Sequence, residues 1–269
     1  MRAVLGIDAA WTAARPSGVA LAVETATGWR LVAAEASYDG FIECAAGRPP
    51  TTRPTGATPD VPALLAAATR LAGQAPALVA VDMPLAHTPI TCRRTADDAV
   101  SRAYGGRSCG THSPSAARPG ALADTLRHDF AAAGYPLLTE AITPLGLVEV
   151  YPHPALVEWM QAPARLPYKV AKTRTYWPDL DRAARSARLI ETWADIDAAL
   201  DRRVAGVTDR LRAASALPAK AREDLLDAII CCAVAIDALD GRAIPFGDAD
   251  AAIWIPAAAT ARSPVRRSG

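Results

Sequence analysis

The chain lacks an apolar run long enough to cross a bilayer. Its longest helical apolar stretch, Leu225 to Leu239, is interrupted by Asp227 and Asp237 and falls short of the roughly 20 residues a span needs. Net charge is nearly absent, since 29 Lys and Arg against 28 Asp and Glu leave +1. That excludes a globally basic nucleic-acid binder, and any such surface must be local. No long apolar segment behind basic residues precedes the first strand-like run, which argues against a signal peptide. Cysteine is sparse and odd in number, at five, with Cys231 and Cys232 set in an apolar helix as small hydrophobes. The expected setting is cytoplasmic and reducing, with no membrane partner. Internal repeats are missing, and so is any Cys-His or Ser-His-Asp arrangement of a nucleophilic triad. What remains, 51% hydrophobic and 21% charged over 269 residues, is the composition of a globular protein able to bury a large core.

Three short apolar runs each carry a carboxylate at or near their end. They are Ala3-Val4-Leu5-Gly6-Ile7-Asp8, Ala77-Leu78-Val79-Ala80-Val81-Asp82 and Gly146-Leu147-Val148-Glu149-Val150. A carboxylate there is costly unless solvated, paired or bound to a cation. A late helix, from about Pro218 to Asp240, opens with Glu223-Asp224-Leu225-Leu226-Asp227 and places Asp224 and Asp227 on one face. Each position also has a plain structural reading: Asp82-Met83-Pro84 as a turn, Asp224 as a helix-dipole partner. Asp227, flanked by Leu226 and Ala228 in an apolar stripe, is harder to explain that way. Together the positions point to a divalent-metal site.

The order of elements supports convergence. Strands are expected over 3–8, 18–23 and 29–36 as an antiparallel meander, followed by a loop over 44–60. A helix over Val61 to Gly73 has Asp60 as N-cap and Pro62 in its first turn. Strands at 77–83 and 146–151 are then expected to lie parallel to the first. Insertions at about 85–145 and 163–217 interrupt a single domain spanning 1–258, and 259–269 reads as a disordered basic tail. This is the element order of a ribonuclease H-like α/β domain with a mixed five-stranded sheet ordered 3-2-1-4-5. Neighbouring strands about 4.8 Å apart would project Asp8 and Asp82 from one sheet edge. Uncompensated carboxylates that close repel, and two Mg²⁺ or Mn²⁺ ions about 4 Å apart would remove the conflict.

The segments Gly6-Ile7-Asp8-Ala9-Ala10-Trp11, Val81-Asp82-Met83-Pro84-Leu85, Val148-Glu149-Val150-Tyr151-Pro152 and Asp224-Leu225-Leu226-Asp227-Ala228 resemble the domain of unknown function 429 family. That family is described as predicted ribonuclease H-like nucleases. The last segment is also similar to the final helix of Holliday-junction resolvases. The resemblance implies a metal-dependent nuclease with Asp8, Asp82, Glu149 and Asp227 as ligands, and Asp224 in reserve.

Basic residues offer two candidate substrate surfaces. Lys169, Lys172 and Arg174 lie within a basic stretch interleaved with Tyr168, Tyr176 and Trp177, a pattern suited to phosphates and unpaired bases. Arg93, Arg94 and Arg102 form the second, with ion pairing to Asp97 and Asp98 as the plain alternative. His87, Cys92, Cys109 and His112 are a possible zinc quartet; the preferred reading is a buried Cys92 and a mobile loop around Cys109. Two rival functions stand beside the nuclease. One is a catalytically silent binding module. The other is a phosphotransferase of the actin-like ATPase class, against which Ala10 replaces the glycine of the phosphate loop.

Overall fold

A computed structural model describes residues 1–49 and 53–258. The chain opens with β1 (Ala3–Asp8), β2 (Gly18–Thr25) and β3 (Gly28–Glu35), the expected meander, with β1–β2 and β2–β3 antiparallel. Helices α1 (Tyr38–Ala45) and α2 (Val61–Ala72) follow, then β4 (Leu78–Asp82), α3 (Thr95–Tyr104), α4 (Ala121–Ala132) and β5 (Gly146–Val150). Next come α5 (Pro152–Met160), α6 (Thr173–Tyr176), α7 (Arg182–Asp201), β6 (Val204–Ala205) and α8 (Val207–Ala213). The long α9 (Ala219–Leu239) and the strands β7 (Ala243–Gly247) and β8 (Ala252–Pro256) complete the described chain.

The sheet is mixed and has eight strands in the order β6-β3-β2-β1-β4-β5-β8-β7, which corrects the expected five. The first five strands do run 3-2-1-4-5, with β4 and β5 parallel to their neighbours. The additions sit at the two edges. Strand β8, absent from the expected set, lies parallel to β5 and pairs antiparallel with β7 as a hairpin. The two-residue β6 pairs with β3 from inside the second insertion. Helix α1 was also unexpected; Ser37 caps it, its Oγ accepting from the Gly40 N–H at 3.1 Å. The capping expected for α2 is present: Asp60 accepts from the Ala63 N–H at 3.0 Å and Gly73 ends the helix at φ +73°. The segment around Cys109 packs rather than loops free, with a 3₁₀ turn at Gly105–Arg107 and Cys109 fully buried. The basic tail at 259–269, and 50–52 of the expected loop, lie outside the described residues.

Strand parity decides what each face of the sheet receives. Val4, Ala20, Leu78, Ala80, Val148 and Val150 join the core beneath α5, α7, α8 and α9. Leu5, Ile7, Leu21, Val79, Val81 and Leu147 join the opposite core with α1 to α4. Continuing that alternation, Asp8 and Asp82 fall on the α9 side, and Glu149 on the other. Helix α9 is buried along most of its length, which explains its apolar character all round. Its approach to the sheet depends on two glycines. A Cβ at Gly6 would meet Ala228 O at 2.3 Å and Cys232 N at 2.5 Å; one at Gly18 would meet Asp224 O at 2.1 Å. Gly6→Ala or Gly18→Ala must push the α9 backbone outward. We expect a loss of about 2–3 kcal/mol in urea unfolding, as for other overpacked cores. An unchanged midpoint would contradict so close a helix–sheet contact.

Candidate functional site

β1 and β4 end in register, with Asp8 the direct neighbour of Asp82 across the parallel pair. Above them α9 carries Asp224 and Asp227, one turn apart. No protein hydrogen bond or ion pair reaches either Asp8 or Asp82 among the described residues, and both keep part of their surface in a cleft. Burial, then Asp227, Asp224 and Asp82, hold the Asp8 carboxyl well above the usual carboxylate range. Burial, then Asp227, push Asp82 up to about 7. Burial also raises Asp224, with Lys220 opposing it.

Two lysines enter this group. Lys169 donates to Asp227 Oδ2 and lies 3.6 Å from Glu223 Oε1. Lys220 donates to Asp224 Oδ1, and to Glu223 Oε1 at 2.8 Å. The Tyr168 hydroxyl donates to Asp227 Oδ1 at 2.7 Å, so both oxygens of this fully buried carboxylate are engaged. Burial works against a charged Lys169, but Asp227, Glu223 and Asp8 outweigh it and raise its pKa. The described residues show no group of three or more His, Cys, Asp or Glu side chains drawn together as a ready metal cage. The all-oxygen donors nevertheless suit a hard divalent cation. Asp8 and Asp82 are unpaired and mutually repelling, the condition such a cation relieves. Asp227 could join them only with Lys169 moved aside.

Glu149 is placed differently from the other expected ligands. From the opposite face of the sheet it accepts from Arg94 Nη1 at 2.5 Å and Nη2 at 2.8 Å, and from the Leu85 N–H at 2.7 Å. Arg94 also binds both oxygens of Asp97 at 3.0 Å. Arg94 is therefore a buried clamp, and with Glu149 and Asp97 it lines the small lobe of the cleft from within. Arg93 braces the same segment, donating to Asp98 Oδ1 at 2.6 Å, Ser101 Oγ at 2.7 Å and Asp97 O at 2.8 Å. Arg94→Met would strand two buried carboxylates; a loss of about 3–5 kcal/mol in denaturant unfolding is expected. A loss below about 1 kcal/mol would show that the clamp is solvated.

The cleft has two connected lobes that share Asp82, Trp11, His112, Ala171 and Lys220. The larger, about 1170 Å³, contains Asp8, Asp224, Arg15 and Arg118, and the Arg118 guanidinium lies 5.7 Å from the Trp11 ring. The smaller, about 320 Å³, contains Lys169, Lys172, Tyr151, His153 and Arg165. Arg174 is exposed but lines neither lobe. Sequence reading missed Arg15, Arg118, His153 and the cleft role of Arg165. Trp11 and Tyr151 were within reach, because each stands just beyond a carboxylate-bearing strand end. The zinc quartet does not assemble: Cys109 is buried, while His87, Cys92 and His112 are exposed, reversing the expected burial of the two cysteines.

Residues 6–252 match the family described as "Protein of unknown function (DUF429)". The chain belongs to this family. Neither the curated proteins nor the solved structures give a match to this DUF429 chain. No helix among its described residues is long and apolar enough to cross a membrane.

The crowded carboxylates make a pH prediction. A carboxyl whose folded pKa exceeds its unfolded value binds more protons when folded, so stability is lost as pH rises through that interval. For Asp82 the interval runs from 3.8 to about 7. In chelator, the wild type should lose thermal stability across it relative to Asp82→Asn, whose curve should be flatter. A wild type that gains on the variant as pH rises would contradict the crowding.

Proposed function

We propose that this DUF429 protein is a ribonuclease H-like nuclease that hydrolyses phosphodiester bonds in nucleic acid with Mg²⁺ or Mn²⁺. The observation that carries the reading is the unpaired, adjacent pair Asp8 and Asp82 on the floor of a basic-rimmed cleft, with Asp227 facing them from α9. The strand order 3-2-1-4-5 supports the fold assignment, and the edge strands are additions to it. Asp8 and Asp82 would hold the cation, and Asp227 would join after its lysine partner moves. Glu149 acts at one remove, anchoring Arg94 and the Leu85 backbone next to Asp82. Bound divalent cations would supply Lewis-acid activation of water and stabilise the leaving oxygen. Arg15, Arg118 and Lys172, none of them ion-paired among the described residues, would neutralise strand phosphates, and Trp11 would offer a ring for an unpaired base. Five free cysteines accord with a reducing, cytoplasmic setting.

One observation favours a second reading. Lys169 and Lys220 already neutralise part of the cluster, as they would in a binding module that needs no metal. A cleavage assay across single-stranded, duplex and branched DNA and RNA separates the two. The nuclease reading expects cleavage that requires Mg²⁺ or Mn²⁺ and falls in Asp82→Asn by more than the roughly 10–100-fold that loss of a ligand-orienting neighbour costs. Lys169→Met, which frees Asp227 of its competitor, should lower the metal concentration needed for half-maximal thermal stabilisation. Nucleic acid bound tightly but uncut under both metals would establish the silent module instead.

A further inference from the structure

The small lobe holds buried polar atoms that have no hydrogen-bond partner among the described residues. His153 is 4% exposed, and its Nδ1 has no hydrogen-bond partner. Arg165 lines the same lobe with its Nε buried and unpaired; among the described residues its guanidinium meets the Tyr176 hydroxyl but no carboxylate. Buried donors and acceptors left unmade are expensive, and natural structures keep few of them. The ring of His153 packs between Tyr151, 5.5 Å away and nearly perpendicular, and Tyr168 at 5.0 Å.

The charge balance of the lobe is informative. Arg94 is matched by Glu149 and Asp97, and Lys169 and Lys220 are matched by Glu223 and their α9 carboxylates. That leaves Arg165 and Lys172 as cations without an acidic partner, with Asp82 at the boundary toward the large lobe. The volume, about 320 Å³, lies at the lower end of the range for small-molecule sites, enough for one nucleotide and little more. Aromatic rings, an unpartnered imidazole nitrogen and two cations without an acidic partner together match a base and its phosphate better than an anion alone.

We propose that the small lobe binds a single unpaired nucleotide, its base beside Tyr151 and His153 and its phosphate on Arg165 and Lys172. The proposal deepens the nuclease reading and rests on it only for the origin of that nucleotide. The shared chemistry is a nucleoside monophosphate, either free or as the unpaired unit of a strand whose next phosphate lies toward Asp82. A base held there has to leave its stack, which costs least at an unpaired end or a mismatch.

The test is equilibrium binding by calorimetry in chelator, with no metal and no turnover. The probes are the four nucleoside 5′-monophosphates, adenosine, inorganic phosphate and a 5′-phosphorylated single-stranded oligonucleotide. Wild type should bind monophosphates or the oligonucleotide, and inorganic phosphate at least tenfold more weakly. Arg165→Gln should weaken nucleotide binding about 10–100-fold, the loss expected for a charged hydrogen bond. The surface change Lys172→Gln should weaken it in the same direction without risk to folding. His153→Phe, which keeps an aromatic ring and removes both imidazole nitrogens, should weaken nucleotide and nucleoside alike and leave phosphate unchanged. Arg212→Gln, on the exposed surface outside both lobes, should leave mononucleotide binding intact. Binding of the oligonucleotide alone identifies the strand as the source; binding of both admits the free nucleotide. Phosphate binding as tight as nucleotide binding, or nucleotide binding indifferent to both Arg165→Gln and Lys172→Gln, overturns the proposal, as does no binding by any probe. Metal-dependent cleavage without Arg165-dependent nucleotide binding removes the pocket and leaves the nuclease reading standing. Arg165-dependent binding by a protein that cuts nothing does the reverse.

Discussion

The site depends on how closely α9 can lie on the sheet. Gly6 and Gly18 have no Cβ, so the α9 backbone at Asp224, Ala228 and Cys232 reaches within contact distance of β1 and β2. The Cys232 thiol donates to Ala20 O at 3.0 Å, a further sign of that proximity. This spacing sets Asp224 and Asp227 over the ends of β1 and β4, where Asp8 and Asp82 emerge. A helix one side chain further out would leave each carboxylate solvated and separate. The apolar faces of α9 supply the burial that holds it there, against the sheet on one side and α5, α7 and α8 on the other.

Burial then turns proximity into electrostatic tension. Four aspartates share a small volume, and the protein answers with Lys169, Lys220 and the Tyr168 hydroxyl. These partners reach Asp227 and Asp224 but leave Asp8 and Asp82 to retain protons or accept a cation. On the far side of β5 a similar problem is solved internally: Glu149 and Asp97 share Arg94 and need nothing from outside. The contrast between Glu149 and Asp97, matched by Arg94, and Asp8 and Asp82, left unmatched, is the strongest physical argument for a ligand at Asp8 and Asp82.

Much of this was legible in the sequence, for identifiable reasons. Apolar runs of period two and a late apolar helix gave the meander, the parallel strands and α9. Asp60, Pro62 and Gly73 marked α2 through cap chemistry that is local in sequence. Asp8, Asp82, Asp224 and Asp227 were found because a carboxylate next to an apolar run is an anomaly anywhere in the chain. Glu149 was legible only in part: Val148 and Val150 pointing the other way implied the opposite face, yet the residue still lines the lobe that Asp82 borders. Its partner Arg94 stands 55 positions earlier, and no local pattern joins them. The edge strands β6, β7 and β8 were missed because two of them are defined by pairing across long stretches of chain, and Pro245 in β7 reads as a strand breaker. Lys169 was expected to face a substrate; only the folded chain reveals its approach to Asp227. Arg15, Arg118 and His153 acquire meaning solely from the cleft they share.

The central claim is that Asp8, Asp82 and Asp227 form a cation site, with Lys169 holding Asp227 until a cation arrives. Crystals grown with Mn²⁺ and measured for anomalous scattering test it most directly. The account predicts a manganese peak bonded to Asp8 and Asp82, with the Lys169 ammonium withdrawn from Asp227. A well-ordered cluster with no manganese peak and Lys169 still on Asp227 at saturating metal would contradict it.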